Sequence, residues 1–180
     1  MTDRRDSPQE LISALGLISH PEGGFFRETY RGADESSALP SRFGPGRDPL
    51  PYCTSIYYLL EAPDYSAFHR IKSDELWYFH AGTGLAIHCL EPGGAYRALE
   101  LGPDRDYFAA VLAGSWFAAE SLSHRPAGDD SAVPNARAWC LVSCAVSPGF
   151  DFRDFELADR SALVKEYPEK ASLIERLSRS

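Results

Sequence analysis

His69-Arg70-Ile71-Lys72-Ser73-Asp74-Glu75-Leu76-Trp77-Tyr78-Phe79-His80-Ala81-Gly82 is the stretch that decides the fold. Side chains alternate across a strand, so residues two apart share a face. His69 and Ile71 then lie on one face. From the following strand Glu75, Trp77 and Phe79 point one way, and Leu76, Tyr78 and His80 the other. If the His69 face lines a barrel, the interior holds one imidazole, one carboxylate and aromatic walls.

Working outward, short strand-like runs recur at 54–60, 67–71, 75–80, 85–90, 96–99, 108–112, 116–119, 138–143 and 152–156. Turn signals such as Ala62-Pro63-Asp64, Gly82-Thr83-Gly84 and Glu91-Pro92-Gly93-Gly94 separate them. Many short strands without helices between them indicate an antiparallel sandwich or jelly roll. Upstream, His20-Pro21-Glu22-Gly23-Gly24 reads as a turn running into a strand with one wet face over residues 25–30. Residues 7–16 carry a helix signature, with Ser7 as cap, Pro8 at the first helical position, Glu10 completing a capping box and Gly16 as the stop. Residues 32–51 and 124–136 read as loops, and the tail from Asp159 turns helical with a break at Pro168.

The chain of 180 residues fits one domain, with a core over about 20–157, an N-terminal helix at 7–16 and a C-terminal helical tail at 159–179. Its formal net charge of -8 argues against nucleic acid or an anionic membrane as partner, because such binding needs clustered Lys and Arg. No run approaches the length of a membrane span, and the opening MTDRRDSPQE lacks the apolar stretch of a signal peptide, so a cytoplasmic protein is expected. Cys53, Cys89, Cys140 and Cys144 lack paired spacing and read as free thiols.

The stretch at 69–82 resembles the first motif of the cupin superfamily, G-x5-H-x-H-x3-4-E-x6-G. His69, Glu75 and Gly82 match, while Ile71 stands where the motif has its second His. The superfamily's second motif has its counterpart at 112–117, with Leu112 for the Pro and Phe117 for the His. The chain is also similar, over roughly 8–170, to the small stand-alone Cupin-5 family. The similarity rests on His20-Pro21-Glu22-Gly23-Gly24-Phe25-Phe26-Arg27-Glu28-Thr29-Tyr30, Ile56-Tyr57-Tyr58-Leu59-Leu60, Phe68-His69-Arg70, Asp74-Glu75-Leu76-Trp77 and Val146-Ser147-Pro148-Gly149-Phe150-Asp151-Phe152. The resemblance implies an all-β fold, the double-stranded β-helix or jelly-roll barrel of cupins, with short helices at both ends and a homodimer. It implies no agreed reaction.

In cupin metalloenzymes the motif His and Glu residues hold a divalent metal. Here two of the four positions are apolar, so His69 and Glu75 alone remain as ligands and an organic ligand in the pocket is favoured. A His beside a carboxylate in a dry pocket can serve as a general base. The expected catalytic set is therefore His69, Glu75 and an opposing acid, Tyr57, or its neighbour Tyr58 if that one faces inward. The expected ligand-binding set is Arg27 as an anion clamp with Ile71, Trp77, Phe79, Trp116 and Phe117 as walls. His20 is expected to be a turn residue, His80 to face outward, and His88 and His124 to be filler. Three functions follow: a metal-independent isomerase or epimerase of a small polar metabolite, a metal-dependent oxygenase or isomerase, and a non-catalytic metabolite-binding module.

Overall fold

A computed structural model describes residues 7–122 and 138–179. Helix α1 (Pro8–Leu15) has its capping box formed and ends on left-handed Gly16. Strands β1 (Ile18–Ser19) and β2 (Phe25–Arg31) follow, and β3 (Glu35–Ser36) pairs with β4 (Leu50–Pro51) to make a small hairpin within the expected loop. Phe43 and Leu50 anchor that excursion by burying their side chains.

The remaining strands are β5 (Thr54–Glu61), β6 (Tyr65–Arg70), β7 (Asp74–Gly82), β8 (Leu85–Leu90), β9 (Tyr96–Leu101), β10 (Phe108–Val111), β11 (Trp116–Ser121), β12 (Trp139–Ser147) and β13 (Glu156–Leu157). Helices α2 (Arg160–Glu166) and α3 (Ala171–Arg176) follow, separated by a 3-10 turn at Pro168–Lys170. Asp159 caps α2 by accepting from the Ala162 amide. The expected loop at 124–136, and His124 with it, lies outside the described residues.

The strands form two antiparallel sheets, ordered β1-β2-β5-β12-β7-β10 and β13-β6-β11-β8-β9. Their inner faces share one core in which Tyr58, Trp77, Phe79, Val142 and Cys144 meet Leu85, Ile87, Cys89 and Phe117. Outside the second sheet, Leu163, Tyr167, Ile174 and Leu177 cover Phe68, Leu90, Trp116 and Ala118. Outside the first sheet, α1 and Leu17 cover Leu59 and Leu141. This explains why β8 and β11 are buried at every position: a strand covered on both faces loses its polar alternation.

One expected strand is corrected. Residues 152–156 do not run as a strand; Phe152–Asp154 is a 3-10 turn, with only Glu156 and Leu157 pairing to β6. The Asp151 carboxylate accepts from the Arg153 amide and bends the chain, which turns Phe152 and Phe155 toward the barrel mouth.

Candidate functional site

The barrel holds a cavity of about 280 Å³ between the two sheets. Its polar floor comprises His20, Glu22, His69 and Glu75; Phe26, Phe150, Phe152 and Phe155 wall it, and Glu28 and Arg31 line it beyond them.

Glu22 is the unexpected member. Its turn passes deep because two glycines let it. A side chain on Gly23, which sits at φ +119°, would put its Cβ 2.1 Å from the Tyr65 carbonyl, and one on Gly24 would meet Leu59 and Tyr58 at 2.8 Å. The buried Tyr58 hydroxyl donates to the Gly23 carbonyl at 2.8 Å, and the Ala67 amide donates to the Glu22 carbonyl at 2.9 Å. So held, the Glu22 carboxyl accepts from Ser66 Oγ at 2.9 Å through Oε1 and faces His69 Nε2 at 3.1 Å through Oε2.

The proton count of this pair follows from its neighbours. His69 Nδ1 lies 2.7 Å from the Ala67 carbonyl, which can only accept, so Nδ1 carries a hydrogen. A neutral His69 then offers a lone pair at Nε2, and a lone pair facing an ionised carboxylate would repel. The contact requires one proton between the two groups. Burial pushes His69 down to about 4, against the bond to Ala67, and pushes Glu22 up, against His20, Ser66 and Tyr58. The proton therefore rests on Glu22 and is donated to Nε2.

Glu75 lines the same cavity, but among the described residues no hydrogen bond joins it to His69. Burial first, then the carboxyl of Glu22, pushes it up to about 8, with the Cys144 thiol opposing. At neutral pH it is a carboxylic acid and a donor. His20 has its ring edge-on to Phe26 at 4.6 Å, with Nδ1 3.5 Å from Glu22 Oε2. Burial, opposed by Glu22, lowers it.

The structure brings together His69, Glu75 and Ile71 at the cavity, with Phe117 packed on the His69 ring at 4.0 Å. Trp77 and Phe79 lie inside the barrel but behind the cavity wall, in the core. Three expectations are corrected. Tyr57 turns outward, packed against the α1 cluster and the His80 ring, because the inward position on β5 belongs to Tyr58. Arg27 is exposed on the same outer side, near Gly16, and the guanidinium lining the cavity is Arg31. Trp116 lies under the C-terminal helices with Arg70 over its ring, on the far face of its sheet. His20 stands in the expected turn and also lines the cavity, and His88 is buried against Glu120, as a filler residue would be.

The cupin metal does not fit this donor set. Ile71 and Phe117 stand at two of the four ligand positions, both His69 nitrogens are engaged, and among the described residues no three His, Cys, Asp or Glu side chains gather to hold an ion.

The model of the family described as Cupin superfamily (DUF985), Cupin_5, matches residues 9–158. The chain belongs to the Cupin_5 family. A relative of this Cupin_5 chain, the uncharacterized protein YML079W of Saccharomyces cerevisiae, is 30% identical over 96% of the chain and 86% of its own length. Among solved structures, protein SO0799 from Shewanella oneidensis is 34% identical, with a TM-score of 0.77 over 97% of this chain and 98% of that one. A hypothetical protein from Leishmania major is 28% identical, with a TM-score of 0.83 over 97% and 100%. The cupin fold agrees with the two antiparallel sheets, and cupin membership supports binding of a small molecule. Among the described residues no helix is long and apolar enough to cross a membrane.

Proposed function

We propose that this Cupin_5 chain is a metal-independent proton-transfer enzyme of the isomerase or epimerase type, acting on a small polar hydroxy-carbonyl metabolite. One arrangement carries the reading: an aromatic-walled cavity holds the Glu22 carboxyl 3.1 Å from the His69 imidazole and, apart from this pair, a second buried carboxyl, Glu75, whose protonated form burial favours. Groups whose environments push their protonation apart are suited to paired acid and base roles.

In this reading Glu22 takes a proton from the carbon beside the substrate carbonyl while passing its own proton to His69 Nε2. The electron pair of the broken C–H bond moves to the carbonyl oxygen, which receives the Glu75 proton. The enediol formed then returns a proton to the Glu75 carboxylate from its other oxygen, and the pair gives its extra proton to the neighbouring carbon. Every proton is restored, and only the substrate has changed. This reading replaces the expected tyrosine acid with Glu75 and pairs His69 with Glu22.

Exchange of carbon-bound hydrogen with solvent deuterium tests it, followed by NMR over a panel of aldoses, ketoses and 2-oxo acids. Exchange in the parent that is lost in His69→Gln and Glu22→Gln supports the enzyme. Compounds that bind without any exchange reject it and leave the metabolite-binding module.

We further propose that a second copy covers the outer face of the first sheet beside its edge strand β10. There Tyr78 and Phe108 are exposed with their rings 5.3 Å apart, and Leu112 is exposed at the strand's end. Unpaired edges with apolar neighbours favour association. A stable monomer in sedimentation at micromolar concentration would remove this assembly.

A further inference from the structure

We propose that Arg179, with Leu177 and Ser178 before it, positions the Glu22–His69 pair by clamping the glycine turn against β6. The inference builds on the reading of that pair as the reacting group. Its test reads the imidazole rather than turnover, so either reading can fail without the other.

The segment lies outside residues 9–158, the part of the chain that carries the family match. It runs beside β6: the Phe68 amide donates to the Leu177 carbonyl at 2.8 Å, one residue before His69. The Ser178 carbonyl accepts from Tyr65 Oη at 3.3 Å and from Arg160 at 3.0 Å. Arg179 Nη2 then donates to the Glu22 carbonyl at 3.2 Å, the Tyr65 carbonyl at 3.1 Å and Asp64 Oδ1 at 2.7 Å. The other Asp64 oxygen accepts from the Gly24 amide at 2.8 Å.

Arg179 and Asp64 thus grip the turn on both sides of Gly23, one by the carbonyl before it and one by the amide after it. A Cβ on Gly23 would stand 2.3 Å from the guanidinium, so the glycine makes room for the clamp as well as for the turn. The far end of the clamp is fixed, since α3 is held by Arg176 on Glu120, and Ile174 and Leu177 are fully buried. Arg179 does not itself line the cavity. It is a positioning residue, acting through the backbone of Glu22.

The experiment is a pH titration of histidine ring resonances in ¹⁵N-labelled full-length protein, with amide exchange measured at Gly24. In Arg179→Ala the turn loosens and water reaches the pair. The His69 midpoint is expected to rise by about one pH unit or more toward the ordinary histidine value. Gly24 exchange should accelerate about tenfold or more while the His88 signals stay in place. Arg179→Lys, which keeps the charge opposite Asp64, should recover part of both effects. A folded Arg179→Ala chain with the parent's His69 midpoint and Gly24 exchange overturns the proposal, since loss of a purely structural contact would lower the melting temperature alone. If Arg179→Ala does not fold, Asp64→Asn is read in the same way, and an unchanged His69 there overturns it equally.

Discussion

Two His–Glu pairs lie on opposite sides of the second sheet. His69 meets Glu22 inside the barrel at 3.1 Å, and His88 meets Glu120 outside it at 3.0 Å. They differ in their third partner. Arg176 grips Glu120 with both terminal guanidinium nitrogens, and burial, which alone would raise that carboxyl, is outweighed by His88 and Arg176, so it is lowered. Glu22 has a serine hydroxyl instead of a cation at its carboxyl, and it is raised. A cation turns one pair into a fixed anchor with a settled charge; without one, the same residue types share a mobile proton.

The largest expected effect breaks the anchor. Glu120→Ala leaves Arg176 and His88 facing an apolar gap and should cost about 3–5 kcal/mol of stability in urea unfolding. Its counterpart in the barrel should behave differently. Glu22→Gln keeps size and hydrogen-bonding capacity, so stability should change by less than about 1 kcal/mol, while deuterium exchange falls about 100-fold, equivalent to about 3 kcal/mol of barrier. A melting point that drops as far as in Glu120→Ala would erase the contrast.

The pH dependence of stability sharpens it further. Glu75 is raised to about 8 from an ordinary 4.5, so between these values the folded chain holds a proton that the unfolded chain has released, and stability falls as pH rises. His69, lowered to about 4 from 6.5, acts in the opposite sense below pH 6.5. The net loss should therefore appear above about pH 6.5, with Glu75 contributing about 2 kcal/mol of it up to about pH 8. Glu22, also raised, acts in the same sense, so Glu75→Gln should reduce the loss without abolishing it. Glu120, being lowered, contributes stability that is lost only in acid. The smallest effect separates neighbours on β5. Tyr58→Phe strips the Gly23 carbonyl of its hydroxyl donor and should cost about 1 kcal/mol, whereas Tyr57→Phe should stay within about 0.5 kcal/mol by thermal unfolding.

Strand alternation made His69, Ile71 and Glu75 legible before any coordinates, because one face of β7 is wet and the other dry, while Phe117 came from the resemblance to the second cupin motif. It failed where that condition fails. Both faces of β5 are apolar, one toward the barrel core and one under α1, so nothing in Tyr57-Tyr58 says which ring turns in. Arg31 was hidden by a register slip between Glu28 and Tyr30, which puts Phe26, Glu28 and then Arg31 on the cavity side. Glu22 and His20 stand in a turn, where alternation has no meaning. Their signal was the Gly-Gly pair that follows them, which marks a backbone that must come close to something. The fold carried through from pattern, and the half of the site built on strands carried through with it.

That Glu22 arrives on a five-residue loop, and not on the barrel wall, divides the labour of the chain. Apart from His69 and Glu75, the sheets can drift in sequence under the demands of packing alone, while the carboxyl proposed to react answers to a short segment and to the arginine that holds it down. Exchanging His20-Pro21-Glu22-Gly23-Gly24 for another turn would remove the carboxyl on which the proposed chemistry depends while leaving the two sheets in place, a route by which one such vessel could give rise to both catalysts and carriers.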